Sequence, residues 1–201
     1  MKVQRFIKRQ IDFWGSLCGL ILLTPLFLIV AILIKINSQG PVFFRQTRVG
    51  KNGKNFKIWK FRTMIKEAEK IGLGYERTEK DLRTTTIGRF LRRFGIDEFP
   101  QFINVIGNEM SLVGPRPALP HQIKKYSELE KKRFQVKPGI ASPAHPKGWN
   151  TLSWKERIKI DIWYLNNWSL WLDFKILFKT TFIILRGKGQ YDKDGLIKDY
   201  E

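Results

Sequence analysis

FWGSLCGLILLTPLFLIVAILI, residues 13–34, runs for 22 residues without one charged side chain. At about 1.5 Å of rise per residue, a helix over this stretch reaches about 33 Å, close to the hydrocarbon thickness of a bilayer. It is longer than the roughly 7–15-residue apolar core of a signal peptide, and no small-residue cleavage site follows it. The flanks speak against a simple crossing. Lys2, Arg5, Lys8 and Arg9 precede the stretch, and Lys35, Arg45, Arg48, Lys51 and Lys54 follow it. Both ends therefore compete for the cytoplasmic face that basic residues prefer. Near the middle lies Thr24-Pro25. A proline removes one helix hydrogen bond and crowds the preceding turn, and a threonine hydroxyl can satisfy a freed carbonyl. A bent hairpin that enters and leaves one leaflet meets all these conditions. A single span kinked at Pro25 meets the length condition, and residue physics leaves both open.

The chain has 201 residues, enough for one domain and an appendage, and a net charge of +19 from 37 basic and 18 acidic residues. Solubility alone needs a net charge of only about 2–8 in a small domain. The excess points to an anionic partner: nucleic acid, lipid head groups or a phosphorylated substrate. One cysteine, Cys18, excludes an internal disulfide and a cysteine-cluster zinc site. Two histidines, His121 and His145, are too few for a histidine-rich metal site.

Outward from the apolar stretch, Pro41–Phe44 and Phe56–Phe61 read as short strands, and Val49–Lys54 between them has hairpin chemistry centred on Asn52-Gly53. Met64–Lys70 reads as a short helix and Leu73–Thr86 as a polar, mobile surface loop. Ile87–Phe94 reads as an amphipathic helix. A helix begins at Asp97 and runs to Val105, with Asp97 as N-cap and Pro100 tolerated in the first turn. His121–Glu130 is read as helix. Ser153–Arg186 mixes tryptophans and phenylalanines with lysines. That mixture suits a helix lying in a membrane interface, and equally an aromatic core face; both readings hold if they apply to different faces. Gly187–Glu201 reads as a peripheral tail.

The chemistry sits in residues 92–117, RRFGIDEFPQFINVIGNEMSLVGPRP. An anion at a helix start is favoured by exposed N–H groups and by the helix dipole, and Arg92 and Arg93 add positive charge nearby in sequence. A carboxylate held there can attack phosphorus and split one displacement into two. Asp97 and Glu98 together can reach one hard cation, since magnesium takes one or two carboxylates plus substrate phosphates. Arg116, between Pro115 and Pro117, has little backbone freedom and makes a good fork for phosphate oxygens. Alone, an Asp-Glu pair is ordinarily a solvated helix start and Gly-Pro-Arg-Pro an ordinary turn. Their association with the apolar stretch and the charge excess is what raises both.

The chain resembles the bacterial sugar transferases, small membrane-bound phosphoglycosyl transferases with one re-entrant helix. The resemblance is carried by Lys8–Asp12, Thr24-Pro25, Gly40–Gln46, Phe56–Met64, Asp97–Gln101, Asn104-Val105, Met110–Pro117 and Lys137–Ile140. These cover most of residues 1–175, and no single piece is specific. The resemblance implies an α/β, mainly α, fold. It implies a re-entrant anchor over 1–36, a cytoplasmic membrane-surface domain over 37–186, and the tail over 187–201. It also implies transfer of sugar-1-phosphate from a UDP-sugar to undecaprenyl phosphate, with UMP leaving and a polyprenyl diphosphosugar formed at the cytoplasmic face of the bacterial inner membrane. Asp97 is then the nucleophile that carries a covalent phosphosugar, and Glu98 with Asp97 binds Mg2+. Arg116, Arg92, Lys60, Arg62, Gln101 and Pro115 are implied contacts for the phosphates. The partners are the lipid bilayer and the two substrates, with no nucleic acid; a homodimer is compatible with this reading.

The pattern departs from the family at one loop. After Pro138-Gly139-Ile140 the family commonly reads Thr-Gly-Leu-Ala-Gln and then Gly-Arg-Asn, where this chain has Ala141-Ser142-Pro143-Ala144-His145 and Gly148-Trp149-Asn150. Trp149 stands where the arginine is usual. This points to a different sugar, or to Lys147 as the residue that reaches the phosphates. His145 reads as a local loop residue rather than a catalyst. Two other readings stay open: a membrane-anchored protein that binds polyanions or lipids without catalysis, and an inactive family member serving as a scaffold.

Overall fold

The computed structural model describes residues 2–68, 81–148 and 151–186, with the backbone of 77–78 and 196–197. In chain order the elements are α1 (Lys2–Asn37), β1 (Phe43–Val49), β2 (Asn55–Phe61), β3 (Arg77–Thr78), α2 (Thr86–Arg93), α3 (Phe102–Ile106), β4 (Ser111–Val113), α4 (Pro120–Ile123), α5 (Glu128–Lys131), β5 (Gly139–Ala141), α6 (Trp154–Asn166), α7 (Leu170–Leu185) and β6 (Leu196–Ile197). The fold is mainly helical with few short strands.

α1 is one unbroken helix through Thr24-Pro25, where the sequence led us to expect a helix, a break and a second helix. A proline withholds only its own N–H, and the Thr24 hydroxyl donates to the Leu20 carbonyl at 2.8 Å. One missing bond is too little to end a helix whose side chains favour it. By length and composition α1 is able to cross a membrane.

Its polar residues do more than mark a flank. Asp12 is buried and accepts from the Ser111 hydroxyl (2.8 Å) and the Leu112 amide (2.9 Å). Lys8 donates to Asp173 (2.6 Å) and to the Val113 carbonyl (3.2 Å), and Arg9 donates to the Val105 and Ile106 carbonyls (2.7 and 3.0 Å). Twenty residues further on, Val30 and Ile34 pack with Phe61 and Leu91. Both ends of α1 thus rest on the same body. Ile21, Leu22, Leu28, Ile29, Ile32 and Leu33 stay exposed.

β1 and β2 form the expected antiparallel hairpin, pairing Phe43 with Phe61 and Val49 with Asn55. The turn works because Asn52 and Gly53 both take positive φ (57° and 75°), which asparagine and glycine tolerate. The free edge of β2 is closed by a side chain. The Asn104 amide accepts from the Trp59 N–H (2.9 Å) and donates to the Lys57 carbonyl (2.9 Å), so α3 stands in for a third strand.

β4 and β5 pair in parallel, Ser111 with Gly139 and Val113 with Ala141. Their approach depends on glycine: a Cβ at Gly139 would lie 2.0 Å from the Gly114 nitrogen, and one at Gly114 would lie 2.5 Å from the Lys137 carbonyl oxygen. Tyr164 of α6 and Ile176 of α7 cover the pair, packing on Val113 and Ala141.

The two readings of Ser153–Arg186 divide between the helices. α6 turns Ile158 and Tyr164 into the core, while α7 presents Trp171, Phe174, Phe178, Phe182 and Leu185 outward at helical spacing. His121–Glu130 is two one-turn helices rather than one. Ser127 starts the second, accepting from the Glu130 amide while Glu130 bonds back to the Ser127 N–H. Met64 bridges Thr84 instead of opening a helix, and Glu67 takes a left-handed φ of 59°. Within the polar stretch expected to be a mobile loop, Asp81, Arg83 and Thr84 are buried, with Arg83 on Asp81 at 2.7 Å and on the Ala68 carbonyl at 3.1 Å. Of the regions read from sequence, 69–76, 79–80, Trp149-Asn150 and most of the 187–201 tail lie outside the described residues.

Gly139→Ala is expected to destabilise the domain by about 3 kcal/mol, the upper end of overpacking effects. Gly53→Ala, at positive φ with open space around it, should lose only about 1 kcal/mol. Thermal melts of the two variants check the ranking.

Candidate active site

α2 opens on Thr85, whose hydroxyl accepts from the Gly88 amide (3.0 Å), and closes at Gly95, which takes a left-handed φ of 61°. That glycine lets the chain start a 3-10 turn at once, over Ile96–Gln101, which runs into α3. Asp97 is therefore not the N-cap that the sequence suggested. It lies inside the first turn, with Gly95 in the cap position and no side-chain cap needed. Asp97 is 7% exposed, and the turn that carries it packs on β2.

β2 supplies Lys60, and the loop after β4 supplies Arg116. Both converge on the neighbour of Asp97. Glu98 Oε1 lies 2.6 Å from Lys60 Nζ and 3.0 Å from Arg116 Nη2, with Arg116 Nη1 3.5 Å from Oε2. Burial alone would lift the Glu98 carboxyl, but Arg116 and Lys60 outweigh it and hold the group well below the usual carboxylate range. Burial pulls Lys60 down to about 8 against the opposing pull of Glu98, and the Asp97 charge reaches the same ammonium. The result is two cations and two carboxylates in one place, shielded enough for their charges to matter.

The Arg116 loop is fixed by its backbone. Gly114 N–H donates to the Ala141 carbonyl (3.1 Å), and Gly139 N–H donates to that of Pro115 (2.9 Å). Arg133 donates to the Arg116 carbonyl (2.8 Å) and Arg48 to that of Pro117 (3.2 Å). Arg133 is itself anchored on Asp161 at 2.6 Å, both fully buried. Burial raises the Asp161 carboxyl to about 6, with Arg133 opposing. The sequence reading missed Arg48, Arg133 and Asp161. Only Asp161 left a trace, as a carboxylate among the apolar residues of α6.

Other expected contacts are placed elsewhere. Arg62 donates to the Ser38 and Gln39 carbonyls (2.6 and 2.8 Å), tying the end of α1 to β2. Arg92 donates to the hydroxyls of Thr63 (2.9 Å) and Thr84 (3.0 Å). Lys147 sits over the Trp163 ring, 4.7 Å from its centroid. Gln101 is 2% exposed, and its amide nitrogen makes no hydrogen bond among the described residues. Pro115 contributes its carbonyl to the strand pair. Thr24 and Pro25 lie on the exposed face of α1.

Among the described residues no group of three or more histidines, cysteines or carboxylates gathers to form a closed metal cage. Two adjacent carboxylates suit a magnesium ion that draws its remaining oxygens from a substrate diphosphate and water. The donor set of Asp97 and Glu98 fits that ion.

Comparison with known proteins agrees with this site. UDP-glucose:undecaprenyl-phosphate glucose-1-phosphate transferase of Escherichia coli (strain K12) is 42% identical over 198 residues, which are 94% of this chain and 42% of that protein. UDP-N-acetylgalactosamine-undecaprenyl-phosphate N-acetylgalactosaminephosphotransferase of Aeromonas hydrophila is 41% identical over 193 residues, 93% of this chain and 45% of that protein. The sugar transferase EpsL of Bacillus subtilis (strain 168) is 38% identical over 183 residues, 91% of this chain and 89% of EpsL. The chain thus spans less than half the length of the first two relatives and most of the third. Residues 3–187 match the bacterial sugar transferase family, and the chain belongs to it.

Proposed function

We propose that this chain transfers sugar-1-phosphate from a UDP-sugar to undecaprenyl phosphate, the first membrane step of a glycan assembly. The observation that carries the proposal is the Asp97-Glu98 turn set against Lys60 and Arg116, in a chain whose relatives are named for this transfer. A protein that only bound lipid or polyanion would need the cations and not the buried carboxylate beside them.

In the first step an Asp97 carboxylate oxygen attacks the phosphorus that bears the sugar. The bond from that phosphorus to UMP breaks, and UMP leaves with the electron pair. In the second step a phosphate oxygen of undecaprenyl phosphate attacks the same phosphorus. The bond to Asp97 breaks, the carboxylate is restored, and a polyprenyl diphosphosugar departs. Neither step requires a proton to move, because nucleophile and leaving group are both anions at neutral pH. Arg116 and Lys60 offer positive charge where phosphoryl oxygens gather, and Arg116 does so from a backbone that has little freedom left. Glu98 keeps these cations in place. Magnesium on Glu98 and Asp97 supplies charge neutralisation for the diphosphate.

The setting is the cytoplasmic membrane surface. Both ends of α1 hold the same domain, residues 8–16 through β4, α3 and α7, and residues 30–34 through β2 and α2. This supports a re-entrant anchor with both ends on one face. The outward rings of α7, with Lys175 5.2 Å from the Trp171 centroid, suit the head-group layer.

Asp97→Asn is expected to lower magnesium-dependent UMP release by at least about 10³-fold while membrane association persists. With a labelled donor, the wild-type chain should retain phosphosugar and the variant none. Full turnover in the variant would remove the nucleophile from position 97.

Lys60 loses its proton as pH rises through about 8, so kcat/KM for the donor should decline above that pH. Lys60→Arg keeps the charge and should move the decline to higher pH. An alkaline limb unchanged by this variant assigns the titration to another group.

With Cys18→Ser as background, cysteines placed at Gln4 and at Lys35 should both react with an impermeant thiol reagent from the cytoplasmic side of sealed vesicles. Labelling from opposite sides would replace the re-entrant anchor by a span.

A further inference from the structure

β4 and β5 run in parallel, so the loops that follow them leave from the same, carboxyl, end. That end of an α/β sheet is where ligands ordinarily bind. The loop after β4 carries Arg116. The loop after β5 carries Ser142 to Lys147, with Ser142 and Ala144 buried. This second loop is closed on itself by His145: its N–H donates to the Ser142 carbonyl (3.0 Å), and its Nδ1 accepts from the Ser142 N–H (2.9 Å). An imidazole that accepts at Nδ1 carries its proton on Nε2 and presents a neutral donor there. His145 is half-buried as a residue, yet desolvation of its ring, helped by Arg116, pulls its pKa down to about 3 against Glu98. The charges of Arg116 and Glu98 both reach it, which sets the ring beside the carboxylate and cation group.

The two phosphoryl steps make no use of a neutral donor. Phosphate oxygens call for cations, which Lys60 and Arg116 supply. The part of the donor that calls for uncharged hydrogen bonds of fixed direction is the sugar ring, which hangs from the phosphorus that Asp97 attacks. A site that hydrogen-bonds a substrate hydroxyl discriminates strongly against analogues that misplace it.

We propose that His145 is a donor-specificity residue, whose Nε2–H donates to a hydroxyl oxygen of the sugar in a nucleoside-diphosphate sugar. The inference rests on the transferase reading above. The test uses the full chain in lipid nanodiscs, a panel of UDP-sugars that differ in hydroxyl configuration, and undecaprenyl phosphate as acceptor. His145→Ala should raise KM for the preferred donor about ten-fold, the upper range for a lost hydrogen bond, and narrow the preference between epimers. KM for undecaprenyl phosphate and inhibition by UMP should stay at wild-type values. His145→Gln, which restores a neutral donor and is the residue the family pattern carries there, should recover most of the loss. Unchanged donor KM and unchanged preference in His145→Ala, with the wild type active, overturn the role of His145 alone. Equal losses for both substrates and for UMP, with a lower melting temperature, assign the residue to loop packing and overturn it too. If the wild type releases UMP from no donor in the panel, the transferase reading falls and takes this inference with it.

Discussion

The contact that organises this protein is the Glu98 carboxylate shared by Lys60 and Arg116. Three elements far apart in sequence meet there: strand β2, the turn before α3, and the loop after β4. Each side chain is one-quarter exposed or less, so each charge loses much of its hydration and needs the others. Removing a single member would leave an uncompensated charge in poor solvent, which costs more than the intact group stabilises. Such a group is weak as a source of stability and strong as a constraint on geometry. It fixes where the Asp97 turn lies relative to Arg116, and that separation is what phosphoryl chemistry depends on.

Behind the group, stiffness is passed inward through hydrogen bonds to backbone carbonyls rather than through apolar contact alone. Arg133 links the Arg116 carbonyl to Asp161 on α6, and Arg48 holds the next carbonyl but one. On the other side Lys8 and Asp12 of α1 grip Val113 and Leu112, directly before the same loop, and Arg9 takes the last carbonyls of α3. The apolar helix and the site are therefore one mechanical unit. The polar start of α1 touches both of the elements that deliver Asp97 and Arg116, so the anchor's position sets the frame in which they meet.

Much of this was legible from sequence, for local reasons. Asn52-Gly53 announces a tight turn because both residues accept positive φ, and the strands on each side follow. The apolar run of α1 and the amphipathic pattern of α2 report through composition and period. The β4–β5 pair was not legible: two three-residue strands held by long-range bonds carry no periodicity, and the glycines that allow their contact read as loop glycines. Placing the N-cap at Asp97 failed because Gly95 ends one helix and begins the next turn by its left-handed backbone, leaving no task for a side-chain cap. Arg62 and Arg92 were expected at the phosphates because their charge was visible and their partners were not. The carbonyls of Ser38 and Gln39 and the hydroxyls of Thr63 and Thr84 carry no sequence signal at all.

The charge of the chain, +19, is thereby divided into two populations with different physics. Arg48, Arg62, Arg83, Arg92, Arg133 and Arg157 are buried, and the bonds described for the first five run to carbonyls, hydroxyls and carboxylates inside the domain. Arginine suits this work, since its planar fork meets several acceptors and its charge is weakly hydrated. Lysines such as Lys2, Lys35, Lys51, Lys57, Lys175 and Lys179 remain exposed. In lysine the charge is compact and fully hydrated, on a stem that can lie along apolar surface. Lys60 departs from that division, as a buried lysine opposite a carboxylate pair. A lysine in that position keeps its charge only while an anion stays close, which is why the same residue reports on both the Glu98 contact and the pH of its surroundings.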